Sequence, residues 1–418
     1  MVTYAGITEA AALLKGKIIR TPLVYSPTFS AMTGAEVYLK LETLQKAGSF
    51  KVRGAAYRIL SKRSSIGING VIAASAGNHA QGVAVAAGIA GIPAVIVMPA
   101  WVSPSKQEAT AGYGASIILK GSTLQESIDH AIDLAGPGGM TFIHPYDDEA
   151  IITGQGTVGL EILEDLPDPD MIIAPIGGGG LIAGIATAVK ETHPRTRIIG
   201  VQASACPSAV SALRAGEPVT VESEPTVADG IRVTRTGMHT FPVIRDLVEE
   251  IVLVDDDDIV SAVFALLERK KVLAEGAGAA PLAALLSGKV PFKAGEKIVL
   301  VVGGGNVDSV LLEKILRKGL FEAGRLLQCI IELPEGPQSL PSLFSLLSRE
   351  NGVIVRVEQE RGSGDLPLHM VRVALEMEVR NRDHQERILA ALEYEGYEVT
   401  PIRVPRYSFF EFSHTVGG

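Results

Sequence analysis

The run Met171-Ile172-Ile173-Ala174-Pro175-Ile176 passes without interruption into four glycines, Gly177, Gly178, Gly179 and Gly180, then Leu181 and a helix-compatible stretch from Ile182 to Glu191. An unbroken apolar run of this length suits a strand buried on both faces, and such strands belong to parallel sheets covered by helices. Four successive glycines allow the backbone to approach an anion with no Cβ in the way. A flexible linker is also glycine-rich, but linkers are rarely bracketed so tightly by strand and helix. The turn is not a G-x-G-x-x-G dinucleotide turn with a downstream acidic residue. No Lys-Ser or Lys-Thr follows it, so it is not a P-loop either.

The same strand–turn–helix arrangement recurs upstream. Gly70-Val71-Ile72-Ala73-Ala74 is strand-like and leads into Ser75-Ala76-Gly77-Asn78-His79-Ala80-Gln81-Gly82, followed by a small-residue helix pattern from Val83 to Gly91. Free backbone N–H groups and the positive end of a helix dipole make such a turn an anion cradle. An ordinary capped turn accounts for its Ser and Gly, but less well for Asn78 and His79 at the tip. Other buried-strand candidates are Ala94–Met98, Ser116–Leu119, Arg197–Val201 and Lys297–Val302. Helices are expected over Ser103–Ala111 and Thr123–Ala135. Strands alternating with helices predict an α/β fold of parallel sheets, and ligands in such sheets bind beyond the carboxyl ends of the strands.

The third element is the octet Gly48-Ser49-Phe50-Lys51-Val52-Arg53-Gly54-Ala55. It sets a lysine amine beside a small hydroxyl and a phenyl ring, between two glycines. Such a lysine can form an imine with an aldehyde cofactor and later exchange a proton. One lysine among 38 Lys and Arg residues carries little weight alone, and a solvated helix lysine fits the octet equally well. The two glycine turns shift that balance.

Taken together, these segments resemble the pyridoxal-phosphate-dependent threonine/serine dehydratases (threonine ammonia-lyases) of fold type II. The resemblance runs through most of the chain. It includes Arg20-Thr21-Pro22-Leu23, Tyr38-Leu39-Lys40-Leu41-Glu42, His144-Pro145-Tyr146-Asp147-Asp148 and Gly154-Gln155-Gly156-Thr157. It continues through Ala228-Asp229-Gly230-Ile231, Glu275-Gly276-Ala277-Gly278-Ala279 and Gly303-Gly304-Gly305-Asn306-Val307-Asp308. Each piece is weak alone, but their order and spacing are specific.

The resemblance implies a fold type II enzyme with two parallel-sheet α/β subdomains and pyridoxal 5'-phosphate as cofactor. The implied reaction takes L-threonine, and L-serine, to a 2-oxo acid and ammonia. It makes Lys51 the Schiff-base lysine and proton acceptor and packs Phe50 on the cofactor ring. Asn78 meets the ring hydroxyl, and Gly177, Gly178, Gly179, Gly180 and Leu181 hold the phosphate. Ser75, Ala76, Gly77, Asn78 and His79 bind the substrate. Glu275 is placed near the cofactor, with helix capping as the alternative, and a purely structural role for His79 is weighed equally with direct contact. Ala76 stands where similar serine racemases tend to carry a serine hydroxyl that reprotonates Cα. Its methyl has no proton to donate, which favours dehydration over racemisation. A different β-elimination or β-replacement enzyme, a racemase and a non-catalytic amino-acid sensor on the same fold are the other readings.

Two departures stand out. Gly303 falls where these dehydratases usually carry Ser or Cys against the pyridine nitrogen, so that contact needs a water or is missing. Pro225 precedes Thr226-Val227-Ala228-Asp229-Gly230, where some relatives have a glutamate that binds a cation, so no metal site is assigned. Asp255-Asp256-Asp257-Asp258 lacks the oxygen spacing of an EF-hand loop. It precedes an apolar-periodic helix, Ile259–Lys271, and suits helix-start charge.

The texture changes at about residue 320, dividing a catalytic region 1–320, with a smaller subdomain over roughly 47–150, from a region 321–418. In the latter, strands are expected over Leu326–Leu333, Gly352–Arg361, His369–Val379 and Tyr397–Arg403. Helices are expected over Ser339–Arg349 and Arg382–Glu395, and Arg406–Gly418 reads as a peripheral tail. This βαββαβ order is ferredoxin-like and resembles an ACT regulatory domain. The resemblance implies an amino-acid effector (isoleucine, valine or serine) and allosteric control, or a role in assembly alone. A homodimer or homotetramer is the expected assembly.

Composition agrees with an enzyme of small metabolites. The chain has 418 residues, enough for two or three domains, and 47% are hydrophobic. A net charge of −9 argues against nucleic acid or an anionic membrane surface as partner. The only cysteines, Cys206 and Cys329, have no CxxC neighbour, which suits a reducing compartment. With neither a signal-like N-terminus nor an apolar run of about 18 residues, a cytoplasmic location is expected.

Overall fold

The computed structural model describes residues 2–362 and 366–402. They form two compact units, residues 1–308 and 309–418. The boundary lies just before the helix Ser309–Glu322, somewhat upstream of the change in sequence texture.

The strands of the first unit are β1 (Leu23–Tyr25), β2 (Glu36–Leu41), β3 (Val71–Ala74), β4 (Ala94–Met98), β5 (Ser116–Leu119), β6 (Thr141–Phe142), β7 (Met171–Pro175), β8 (Arg197–Ala203), β9 (Glu250–Val254) and β10 (Lys297–Val302). They build two sheets. The larger has the order β1-β2-β10-β7-β8-β9, the smaller β5-β4-β3-β6. The smaller sheet is parallel throughout, and so is the larger from β2 to β9. Strand β1 is the exception, lying antiparallel on the edge against β2. It is three residues long, and only the short helix Pro27–Thr33 separates it from β2, too little chain for the crossover that parallel pairing needs.

Burial follows the alternation of the strands. Val71 and Ala73 of β3 face a core containing Ala80, Val83, Ala84 and Ala87 of the helix Asn78–Ala90. Ile72 and Ala74 face Ala131 and Ala135 of the helix Leu124–Ala135 on the other side. Both faces are therefore covered, as the unbroken apolar runs require. In the larger sheet, Ile172, Ala174, Ile198, Val299 and Val301 pack on Ile182, Ile185 and Val189 of the helix Gly180–Lys190. Helix starts are fixed locally: Thr123 accepts from the Glu126 N–H, Asp148 from those of Ala150 and Ile151, and Asp255 from that of Asp258. The acidic run thus begins a helix, Asp256–Ala265. That helix widens into a π-turn over Leu266–Lys270 and ends at Lys271 with φ 58°, so the expected single helix to Lys271 is two different windings.

In the second unit, β11 (Leu326–Pro334), β12 (Val353–Glu360), β13 (Met370–Glu378) and β14 (Glu398–Pro401) form an antiparallel sheet in the order β12-β13-β11-β14. With the helices Ser339–Arg349 and Arg382–Tyr394, the chain order from β11 is βαββαβ. Cys329, Ile331, Leu333, Val373 and Leu375 pack on Leu343, Leu347, Ile388 and Leu392 of the two helices. Arg403 and the expected tail Arg406–Gly418 lie outside the described residues. Among the described residues, no helix is long and apolar enough to cross a membrane.

Candidate active site

Lys51 is the first residue of the helix Lys51–Ser61. Its Nζ donates to the Pro145 carbonyl at 2.8 Å and lies 5.2 Å from the centroid of the Phe50 ring. Burial lowers its pKa to about 8, against the opposing pull of Glu275. The amine is therefore far closer to its neutral, nucleophilic form than an exposed lysine at the same pH. The neighbouring helix Asn78–Ala90 comes close here because it carries Gly82, where a Cβ would lie 3.0 Å from the Lys51 carbonyl carbon and 3.1 Å from its Cβ.

The helix is held by a buried ion network two residues further on. Arg53 is fully buried. Its Nε and Nη2 donate to the two oxygens of Glu42, each at 2.7 Å. Its Nη1 and Nη2 reach Glu161 at 2.7 and 2.8 Å. Lys40, also fully buried, donates to Glu161 at 2.5 Å and to the Thr21 carbonyl at 2.6 Å. Burial alone would raise the Glu161 carboxyl, but the hydrogen bonds and charge of Arg53 hold it below the usual range. Two cations thus face two carboxylates, and the helix start is pinned to the end of β2 and to the helix Glu149–Asp165.

A chain of contacts draws the sequence-selected residues together. The Phe50 N–H donates to the Gly303 carbonyl at 3.1 Å, and the Glu275 N–H to the Gly304 carbonyl at 3.0 Å. Ser49 and Gly304 form an isolated antiparallel bridge. Asn78 donates through Nδ2 to Glu275 Oε1 at 2.7 Å. The glycine turn joins through Tyr146: a Cβ on Gly178 would fall 2.3 Å from the Tyr146 ring, and Gly179 has φ 95°. Gly179 caps the helix Gly180–Lys190 without a side-chain bond, so the first N–H groups of that helix have no side-chain partner at its cap. Tyr146 in turn follows Pro145, whose carbonyl takes the Lys51 amine.

His79 is 4% exposed, and its Nε2 lies 2.9 Å from the Ile143 carbonyl. Burial and the nearby Lys51 amine lower its pKa to about 3, so the ring is neutral. Its side chain is committed to Ile143, leaving its main chain for any ligand. Leu181 likewise has its side chain in the core at 3% exposure. Ser75 accepts from the Gly77 N–H at 3.2 Å, and Ala76 packs at the edge of the small-sheet core. At Gly303 an added Cβ would meet Phe50 at 3.5 Å and Pro175 at 3.6 Å, ordinary contacts. Asp229 lies 3.6 Å from Lys106 Nζ, which also pairs with Asp308 at 3.1 Å.

The arrangement fits a cofactor with a phosphate and a hydroxylated ring. The glycine turn supplies a cradle in which side chains would collide with Tyr146, Thr240 or Ile244. Asn78 Oδ1 and Ser49 Oγ are buried polar atoms with no partner, the mark of a site completed by a ligand. Reading the sequence missed the Pro145 carbonyl, the Tyr146 ring and the Arg53–Glu42–Glu161 network. All but Glu161 lie in segments matched as motifs, but the Lys51–Pro145 and Arg53–Glu161 contacts join residues more than 90 positions apart.

A family model described as pyridoxal-phosphate dependent enzyme matches residues 14–304. The L-threonine ammonia-lyase of Geobacter sulfurreducens is 44% identical over 403 residues, which are 96% of this chain and 100% of that protein. A catabolic L-threonine dehydratase, TdcB, of Staphylococcus aureus is 45% identical over 323 residues, 77% of this chain and 93% of that one. Among solved structures, maize serine racemase superposes with a TM-score of 0.72 at 38% identity, covering 76% of this chain and 98% of its own.

Proposed function

Because this chain belongs to the family of pyridoxal-phosphate-dependent enzymes, we propose that it is an L-threonine ammonia-lyase, converting L-threonine to 2-oxobutanoate and ammonia and acting also on L-serine. The observation that carries this reading is the 44% identity to an L-threonine ammonia-lyase along the whole of that relative, with the lysine joined to the glycine turn through Pro145 and Tyr146 and the asparagine held by Glu275.

When bound, pyridoxal phosphate supplies an electron sink for the charge left at Cα. In this reading Lys51 carries the cofactor, the Gly177–Leu181 turn holds its phosphate, Phe50 packs on its ring, and Asn78 and Glu275 flank it. The main-chain N–H groups at the start of the helix Asn78–Ala90, with Ser75 beside them, take the substrate carboxylate. His79 serves by holding that turn to Ile143. The Lys51 amine then removes the Cα proton. Its depressed pKa leaves a usable neutral fraction near pH 7, and the Pro145 carbonyl, 2.8 Å away, gives the amine a fixed direction. The β-hydroxyl departs as water, and one water is consumed in releasing ammonia, so the net change is threonine to 2-oxobutanoate plus ammonia.

The similarity to maize serine racemase favours a second reading, racemisation of a small amino acid. Ala76 weighs against it, since a methyl cannot reprotonate Cα from the far face. An Ala76→Ser variant should acquire measurable D-amino-acid formation. Chiral chromatography that finds none would remove Ala76 as the discriminating residue.

The second unit is proposed as an ACT-like regulatory domain. Its βαββαβ order and antiparallel sheet support the assignment, and a small amino acid is the proposed effector. The proposed setting is a cytoplasmic homo-oligomer in amino-acid metabolism, with isoleucine biosynthesis as the pathway. Threonine turnover measured with and without isoleucine, valine or serine tests the effector. No response to any of them would leave assembly as the domain's role.

A further inference from the structure

The glycine turn is wrapped from outside by the loop that leads into the helix Thr240–Leu247. Thr240 is fully buried. Its hydroxyl donates at 2.7 Å to the Gly178 carbonyl, 62 positions back in the chain, with the Gly237 carbonyl at 3.2 Å as the longer alternative. The Gly237 N–H donates to the same Gly178 carbonyl at 3.2 Å, so both lone pairs of that oxygen are engaged. The loop is held in turn by Asp147, whose carboxylate accepts from the Met238 and His239 N–H groups at 2.9 and 2.7 Å. The donors of the turn are in the opposite condition. No main-chain N–H from Gly177 to Leu181 has a hydrogen-bond partner among the described residues, although Gly178 to Leu181 are buried. Buried donors are normally paired, and a run of unpaired ones at a helix start is a place that an anion completes.

We propose that Thr240 is a positioning residue for the cofactor phosphate: by fixing the Gly178 carbonyl it aims the Gly179 N–H into the cradle. A trans peptide points its carbonyl and its N–H in opposite directions. The Gly178 carbonyl and the Gly179 N–H belong to one peptide, so tying the first to Thr240 turns the second away from it. The next peptide is set as well, because the Gly179 carbonyl accepts from the Ala183 N–H at 3.0 Å at the start of the helix Gly180–Lys190. Gly179, between the two peptides, has φ 95°. Glycine reaches that conformation freely but does not prefer it, so the lock comes from outside the turn. A Cβ on Gly179 would lie 2.9 Å from Thr240 Oγ1, so the threonine also packs against the bend. Its hydroxyl proton is spent on a carbonyl, which leaves the phosphate to the main-chain donors.

The inference rests on the cofactor reading and is independent of which amino acid is the substrate. It is tested by titrating apoenzyme with pyridoxal phosphate and with pyridoxal, the same aldehyde without its phosphate, and reading the visible absorbance of the bound aldehyde. Thr240→Val keeps the shape of the side chain and removes the hydroxyl. It should weaken pyridoxal phosphate by about ten-fold or more and leave pyridoxal within about three-fold of wild type. Thr240→Ser keeps the donor and should bind both aldehydes as wild type does. T240V binding pyridoxal phosphate like wild type would overturn the proposal. So would T240V losing both aldehydes equally, as a merely loosened site would, or T240S as weak as T240V. If T240V does not fold, as read from its far-ultraviolet ellipticity, Thr240→Cys takes its place, with a thiol that donates only weakly. The same selective loss is expected of it, and an equal loss of both aldehydes, or none, would overturn the proposal. Wild-type apoenzyme that takes up no pyridoxal phosphate would refute the cofactor reading itself, and the proposal with it.

Discussion

Replacing Arg53 with methionine removes the central cation of the network behind Lys51. Methionine roughly preserves the volume of the stem but supplies no donor. Six side-chain hydrogen bonds are lost, to Glu42, Glu161, Thr21 and Thr157. Among the described residues, Glu42, fully buried, keeps only the Thr21 hydroxyl as a side-chain donor, and Lys40 must answer two carboxylates. Breaking a buried pair by removing one partner costs about 3–5 kcal/mol, a large share of the roughly 5–15 kcal/mol that holds a typical domain. Urea unfolding of apoenzyme, followed by far-ultraviolet ellipticity, measures this without the added stability of bound cofactor. Neutralising Glu42 as well, in R53M/E42Q, restores one cation to one carboxylate. The stability lost in the double variant should therefore fall short of the sum of the two single losses by on the order of 1–3 kcal/mol. An R53M loss below about 1 kcal/mol, or strict additivity, would refute the view that this network carries uncompensated charge when broken.

Gly303→Ser should retain cofactor and keep threonine turnover within about three-fold, because a Cβ there makes only ordinary contacts with Phe50 and Pro175; an apoenzyme that no longer loads would show that the pocket rejects the hydroxyl. The rate at which apoenzyme takes up pyridoxal phosphate should climb about ten-fold per pH unit and level near pH 8, as the Lys51 amine loses its proton. A rate flat from pH 6 to 9 would mean that the amine is neutral already or is not the reacting group. Truncation after the helix Ser309–Glu322 should leave cofactor binding and turnover in place, since a Staphylococcus aureus dehydratase is matched over 93% of its length by 77% of this chain; effector response should vanish with the lost unit.

The parts of this molecule written into local sequence were readable before the structure. Strands such as Lys297–Val302 and the helix Ser339–Arg349 stand where apolar periodicity puts them, because burial on one or both faces imprints a period on the chain. Thr123 and Asp255 announce helix starts for an equally local reason. Short strands were missed: β6 has two residues and β1 three, too few for any period to register, and they exist because a longer neighbour offers its edge. The glycine turn was visible as a cradle, but not that Tyr146 packs against it. Long-range contacts of that kind leave no mark in local pattern. His79 illustrates the limit most clearly: its place at the tip of a polar turn left ligand contact and a structural role evenly weighed, and the bond of its ring to the Ile143 carbonyl, 64 positions downstream, is visible only in the structure.

The measurement that bears most directly on the account is release of 2-oxobutanoate and ammonia from L-threonine by cofactor-loaded enzyme, beside the Lys51→Ala variant and an L-serine control. Stoichiometric 2-oxobutanoate and ammonia from the wild type, pyruvate from serine, and no turnover by K51A are the expected results. A wild type that loads cofactor yet releases neither product, or a K51A variant as active as wild type, would contradict it.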